Sequence, residues 1–435
     1  MIRRSALVLT VSISLLVVPA VHAQAASAEA ETFHSIKLTW SNKRATKQIR
    51  IYRLRPSGAL RLIDIMVSPT TRFVDDLLWS STRYAYRIKQ YNRYGKLIAY
   101  NKVSARTPAQ IDPLPRPFSR TSFWNVPIVN PAIDSNSSSL VNRLAAKGRS
   151  HSTIPLNNSW GRPIAYADAG TKVFKVGCKN GCDNKLWARI PAYARPQSGS
   201  DGHLVVVDRF TGNEVEMWDA TKKTSPPCGP GLRACWSAAS RYKFSATGWG
   251  AACPWGYTGC PASPSGHSAR ENGTSLLGGV IRPEEIKHGL IPHAIAIGVP
   301  KDLVRSKEFI ACPATASDGP RDQDDPSRYI PQGARIQLDP TFVIPSTWPR
   351  WLRVVARALQ VYGGYISEKT HTGGPVSFEA EATSHTRGYD SWAKALGRKK
   401  SPEYLYVNDP SPAFPWHRFR VLKILRNMDN GLCRA

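Results

Sequence analysis

Between residues 31 and 109 the apolar positions recur every second residue in short runs, with no stretch at helical spacing. The runs 35–40, 48–54 and 84–91 all alternate, and in the last of them Tyr84, Tyr86 and Ile88 fall at period two. This predicts an all-β module over 31–109. Closely spaced prolines at 113, 115 and 117 favour extended backbone and mark 110–117 as a stiff linker. Over 118–435 the pattern is mixed. Leu140, Val141 and Leu144 predict a short helix beginning near Ser137, and strands follow over 163–166 and 172–176. Two extended runs flank Thr211-Gly212, which predicts a hairpin over 201–219 with Val205 opposite Trp218. That parity puts His203, Glu214, Glu216 and Trp218 on one face and Leu204, Val206, Val215 and Met217 on the other. A helix over 283–288 ends at Gly289, a strand runs over 291–299, and a helix over 349–362 stops at Gly363-Gly364 before a strand at 365–366. A basic amphipathic helix is expected over 416–425. The whole reads as mainly β: a sandwich followed by a larger jelly-roll-like or irregular β-sandwich with peripheral helices.

In the first module the aromatic positions keep a particular order. Leu38 and Trp40 lie in an early strand, Tyr52-Arg53 precedes a Ser57-Gly58 turn, Phe73 stands two before Asp75, and Tyr84 and Tyr86 lead to Asn92 and Gly95. Over about 80 residues the segment resembles a fibronectin type III module. The resemblance implies a β-sandwich acting as a spacer or adhesion unit, and it carries no catalytic residue. Residues 31–106 hold sixteen Lys and Arg against four Asp and Glu, which suits either a polyanion-binding surface or a solvated basic face.

The 435-residue chain has a formal charge of +28, so an anionic partner is favoured over a cationic one. Arg3 and Arg4 precede an apolar run over 6–21 and the small-residue triplet Ala23-Gln24-Ala25, the layout of a cleaved signal peptide over 1–25. The run is shorter than the roughly 20 residues that span a bilayer, and no later segment is apolar for that length. A secreted, extracellular or cell-wall-associated monomer is expected, with no transmembrane insertion and no specific nucleic acid partner. All eight cysteines lie between Cys178 and Cys433, which in an oxidising setting implies four disulfides. Short loops favour Cys178–Cys182, Cys228–Cys235 and Cys253–Cys260, leaving Cys312 for Cys433, but 105 connectivities are open. The spacing offers no zinc site.

Candidate chemistry concentrates in 118–435. No G-x-G-x-x-G loop, phosphate loop, G-x-S-x-G or H-E-x-x-H occurs, so no cofactor and no metal are expected. Glycosidic hydrolysis needs a proton donor and a second carboxylate. Glu216 is the preferred carboxylate because its face also presents His203 and Trp218, and Asp201 or Glu271 supplies the partner. His203 and His293 stand at the mouths of apolar strands and are candidate proton carriers; with Asp201 they could instead hold a divalent ion. Trp218, Trp236, Trp249 and Trp255, three of them in a Gly-rich stretch, are candidate sugar platforms. Together these features point to a secreted carbohydrate-active enzyme on a cell-wall or extracellular polysaccharide, acidic if the basic charge is a guide. Hydrolase is favoured slightly over a lyase acting beside a uronate carboxylate. The alternatives are a noncatalytic glycan or cell-wall binding protein and, further off, a secreted peptidase or phosphodiesterase.

Overall fold

The computed structural model describes residues 26–426 apart from 33–34, 55–57, 76–77, 79–81, 109–115, 180–185, 224–234, 253–267 and 384–389. The expected signal peptide, Trp255 and Cys182, Cys228, Cys253, Cys260 and Cys433 lie outside the described residues, as does the linker up to 115. Chain contacts divide between Ala109 and Gln110 into two units.

Among the described residues the first unit is a sandwich of seven strands: β1 (Ser27–Thr32), β2 (Ser35–Thr39), β3 (Gln48–Leu54), β4 (Leu60–Val67), β5 (Arg72–Asp75), β6 (Arg83–Tyr91) and β7 (Leu97–Arg106). One sheet runs β1-β2-β5 and the other β4-β3-β6-β7. The first strand starts at Ser27, four residues ahead of the expected module. Alternate residues of the predicted runs fill the core, which holds Ile36, Leu38, Trp40, Ile49, Ile51, Leu78, Tyr86 and Ile88. Asp75 is buried there and fully engaged, accepting from the Tyr86 hydroxyl at 2.7 Å and from Arg53 Nε at 2.8 Å.

The second unit opens with α1 (Ser137–Ser150), β8 (Ser152–Pro155), β9 (Ile164–Ala167), β10 (Val173–Cys178) and β11 (Leu186–Arg189). Next come β12 (Leu204–Asp208), β13 (Asn213–Trp218), β14 (Thr221–Lys223), β15 (Cys235–Ala238), β16 (Ser240–Ser245) and α2 (Pro283–His288). Then follow β17 (Ile295–Pro300), β18 (Arg335–Leu338), α3 (Arg350–Val361), β19 (Gly364–Thr370), β20 (Val376–Phe378), α4 (Ser391–Leu396), β21 (Tyr404–Tyr406) and β22 (Phe419–Val421). They build a seven-stranded sheet in the order β21-β8-β20-β17-β19-β18-β22 and two four-stranded sheets, β16-β13-β12-β9 and β11-β10-β15-β14. Each sheet mixes parallel and antiparallel pairs, as in β17 with β19 and β12 with β9, so the irregular architecture is the one adopted.

The predicted helices over 283–288 and 349–362 form, each stopped by a left-handed glycine, Gly289 at φ 82° and Gly363 at φ 67°. The predicted helix over 416–425 does not. There a single 3-10 turn, Trp416–Arg418, gives way to β22, because Phe419 and Val421 complete the edge of the seven-stranded sheet against β18. Behind that sheet Trp416 stacks on Phe378 at 5.8 Å and on Phe419 at 5.4 Å. α1 closes over this cluster through Gly148, where a Cβ would lie 2.4 Å from the Trp416 ring. Aromatic packing thus commits one face of the sheet to the core.

Candidate functional site

Side chains alternate across a strand, so the residues between those buried ones line the opposite face. Register aligns Tyr406 with Thr153, Thr153 with Ser377, Ser377 with Gly298 and Gly298 with Glu368, a row across five strands. This row floors a cavity of about 710 Å³. Gly298 lacks the side chain that would fill its middle; a Cβ there would stand 3.6 Å from that of Glu368 and 3.8 Å from that of Ser377. Trp160, Tyr404 and Tyr406 line the same cavity, and Trp160 is 52% exposed. Asp201, Lys301, Asp318, Lys369 and His371 complete its charged rim, with Lys369 ion-paired to Asp318.

One end of the row is electrostatically unusual. Arg162 donates from Nε to Glu379 Oε2 at 2.9 Å and from a terminal nitrogen to Glu368 Oε1 at 3.2 Å, so one guanidinium holds two carboxyls. The fully buried Arg270 also reaches Glu379 Oε2, at 2.6 Å. The two carboxyls respond oppositely. Burial would raise Glu379, but Arg162 and Arg270 outweigh it and bring its pKa down to about 2. Burial raises Glu368, and Arg162, with Arg270 farther off at 3.8 Å, does not offset burial and the added charge of Glu379, so it stands at about 8. Glu368 keeps a fifth of its side chain open to the cavity, whereas Glu379 is nearly closed off.

The predicted residues lie around this end in an inner layer. His203 is buried; its Nδ1 is 2.6 Å from an Arg162 terminal nitrogen and its Nε2 3.1 Å from the Ala269 carbonyl. Arginine only donates and a carbonyl only accepts, so the ring is neutral with its proton on Nε2. Burial first, and Arg162 second, push its pKa well down. Both nitrogens are occupied, and His203 fixes Arg162. Glu216 is fully buried and accepts from the amides of Ala269 and Leu276, each at 2.7 Å. Glu214 accepts from the Ser275 hydroxyl at 2.6 Å and the Leu277 amide at 3.2 Å. Burial raises both carboxyls, and their proximity raises Glu216 further. These bonds hold the 268–278 loop, whose Ser275 and Gly278 carbonyls in turn grip Arg270.

His203 and Glu216 therefore share a face and meet at Ala269, but that face is packed rather than open. Asp201 does reach the cavity, whereas Glu271 is exposed and outside its lining. His293 is buried between Glu285 Oε1 and the Ala294 carbonyl, also outside the lining. The three described tryptophans do not form one platform. Trp236 is 2% exposed in the core beside Leu204 and Met217, Trp249 packs edge-on against Phe123 at 5.5 Å, and Trp218 is not in the cavity wall. Sequence reasoning passed over Glu368, Glu379, Arg162, Arg270, Trp160, Tyr404 and Tyr406. For Glu368, Glu379, Tyr404 and Tyr406 the signal was period two in or beside short strands, as in Tyr404-Leu-Tyr406 and Ser377-Phe-Glu379; Trp160, Arg162 and Arg270 lie outside the strands and carried no such pattern.

Among the described residues no cluster of three or more His, Cys, Asp or Glu is arranged to hold a metal ion, and no helix is long and apolar enough to cross a membrane. Cys178, Cys235 and Cys312 are disulfide-bonded.

No protein family matches the chain, and no curated protein does. Its N-terminal region is similar to solved fibronectin type III folds at low identity. FN3tt is 18% identical, over 20% of this chain and 90% of that one, with a TM-score of 0.18. The fn3 domain of human collagen alpha-1(XX) is 13% identical, over 21% and 87%, at 0.19. A beta-1,2-glucanase from Parabacteroides distasonis is 20% identical over 20% of this chain but only 13% of its own, at 0.18. None of these likenesses bears on the chemistry of the cavity.

Proposed function

We propose that the chain is an exported enzyme that cleaves a polysaccharide by hydrolysis in this cavity, with Glu368 as proton donor. One observation carries the reading: Glu368 and Glu379 share Arg162 yet are pushed to opposite sides of the ordinary carboxylate range. A donor to a glycosidic oxygen must be protonated near neutral pH, and of the two carboxyls that line the cavity Glu368 is the more exposed. Glu379, with both guanidiniums on Oε2, is a positioning residue whose charge keeps Glu368 neutral. Asp201 lines the same cavity within the field of Arg162 and is assigned the second carboxylate, which activates water. Trp160, Tyr404 and Tyr406 give apolar ring faces against which pyranose rings lie.

The test is product analysis on a panel of neutral and acidic polysaccharides. Wild type should release new reducing ends without unsaturated sugars, and Glu368→Gln should lose about 10²- to 10⁴-fold in turnover while still binding. Unsaturated products would replace hydrolysis by elimination. A Glu368→Gln variant as active as wild type would remove Glu368 from the chemistry.

A further inference from the structure

The second surface lies in the first unit, on the face of the β4-β3-β6-β7 sheet opposite its Ile49, Ile51 and Ile88 core. Register sets Ile65, Arg50, Lys89 and Tyr100 in one row across the four strands, and Leu62, Tyr52, Arg87 and Lys102 in the next. Arg50 therefore stands directly opposite Lys89, and Arg87 opposite Lys102. Like charges so placed destabilise a sheet. Among the described residues none of the four is ion-paired to a carboxylate. Their partners are neutral: Arg50 Nε donates to Gln48 at 2.7 Å and Arg87 to the Tyr86 carbonyl at 3.1 Å. The remaining contacts are with rings, Arg50 lying 4.6 Å from the centre of Tyr91, Lys89 4.9 Å from Tyr52 and Lys102 5.8 Å from Tyr100.

We infer that this face binds an acidic polysaccharide, a chain in which carboxylates are separated by uncharged sugar rings. Four cations staggered over β3, β6 and β7, with about 5 Å between neighbouring strands and about 7 Å between the two rows, form a grid for successive anions. Exposed apolar side chains border the grid, Ile65 and Val67 on the β4 side and Leu97 and Tyr100 on the β7 side. A uniformly charged polymer such as polyphosphate has nothing to place on them, whereas the C–H faces of sugars do. Single-stranded nucleic acid would need open ring faces for base stacking, and here cations already lie over Tyr91 and Tyr52. Among the described residues this unit also has no helix to enter a duplex groove.

The experiment uses the full chain titrated with polygalacturonate, dextran, polyphosphate and single-stranded DNA at low and moderate salt. Polygalacturonate is expected to bind tightest, with an affinity that falls as salt rises. The quadruple variant R50Q/R87Q/K89Q/K102Q should weaken that binding about tenfold or more and flatten its salt dependence. Since it relieves opposed charges, it should unfold no earlier than wild type. The charge-keeping R50K/R87K/K89R/K102R should bind nearly as well as wild type, and Glu368→Gln should leave the effect of the quadruple variant unchanged. Polygalacturonate binding unaltered in R50Q/R87Q/K89Q/K102Q, or DNA or polyphosphate bound more tightly than polygalacturonate, would overturn the assignment.

Discussion

At the scale of single residues, the polar groups that matter differ in whether a proton can leave. His203 and Glu216 have no free position, His203 because Arg162 and Ala269 take both ring nitrogens, Glu216 because two loop amides take both oxygens. Glu368 keeps an open side, and its raised pKa has a signed consequence. Between the ordinary carboxylate range and about 8 the folded protein holds a proton at Glu368 that the unfolded chain releases, so its contribution to stability falls as pH rises through that window. Glutamine imitates the neutral form at every pH. Glu368→Gln should therefore match wild type in urea denaturation near pH 4.5 and be more stable than wild type at pH 8 to 9. Wild-type turnover should fall over the same alkaline limb as the donor ionises. Equal stability of the two proteins across the range would mean that Glu368 is not held neutral. The sequence made His203 and Glu216 visible as one face of a hairpin, and that parity is right. What it could not show is that both faces of the hairpin are covered, by Leu276 and Ala269 on one side and by Ala188 and Trp236 on the other. Polar alternation, usually a sign of a wet face, here marks side chains that tie down a loop.

Elements show the same division between pattern and partner. The hairpin pairs Val205 with Glu216, two residues away from the expected register. The chain does not turn at Thr211-Gly212 alone; Asp208 Oδ1 accepts from the amides of Phe210 and Thr211 and draws residues 209–212 into a longer loop. Helices over 283–288 and 350–361 were legible because caps and glycines are local, whereas β22 takes its conformation from β18, which sequence spacing does not reveal. The row across the seven-stranded sheet is of the second kind, since it depends on the order β21-β8-β20-β17-β19. Its glycine gives a test at this scale. Gly298 is not in the left-handed region, and a Cβ would meet Thr370 at 3.4 Å, an ordinary contact. Gly298→Ala should fold and gain about 0.4–1 kcal/mol by restricting the unfolded chain. Gly298→Leu should also fold but project into the cavity and abolish cleavage of whichever panel polysaccharide wild type degrades. Undiminished cleavage by a folded Gly298→Leu would place the reaction elsewhere.

For the molecule as a whole, the two units solve the problem of stability differently. The first packs one sandwich around Trp40, Tyr86 and their aliphatic neighbours, and no cysteine falls within it. The second distributes its apolar residues over several clusters, and its β11-β10-β15-β14 sheet is built from strands of only four, six, four and three residues. So few ladder bonds hold a sheet weakly, and this is the sheet in which Cys178 ends one strand and Cys235 begins its parallel neighbour, both disulfide-bonded. Removing native disulfides from such a setting costs about 2–5 kcal/mol. Hydrogen exchange read peptide by peptide, with and without reductant, should show protection lost first in 173–178 and 235–238. Protection in 36–39, 48–54 and 83–91 should be unchanged. The β12 and β13 strands should be intermediate, because Val206, Val215 and Met217 share a cluster with Val176 and Trp236. Uniform loss across both units on reduction would mean that the crosslinks support the chain globally rather than this sheet. If the loss is local, the Arg162–Glu368–Glu379 end of the cavity loses its support only through β12 and β13, and activity should decay on reduction in step with exchange at those two strands.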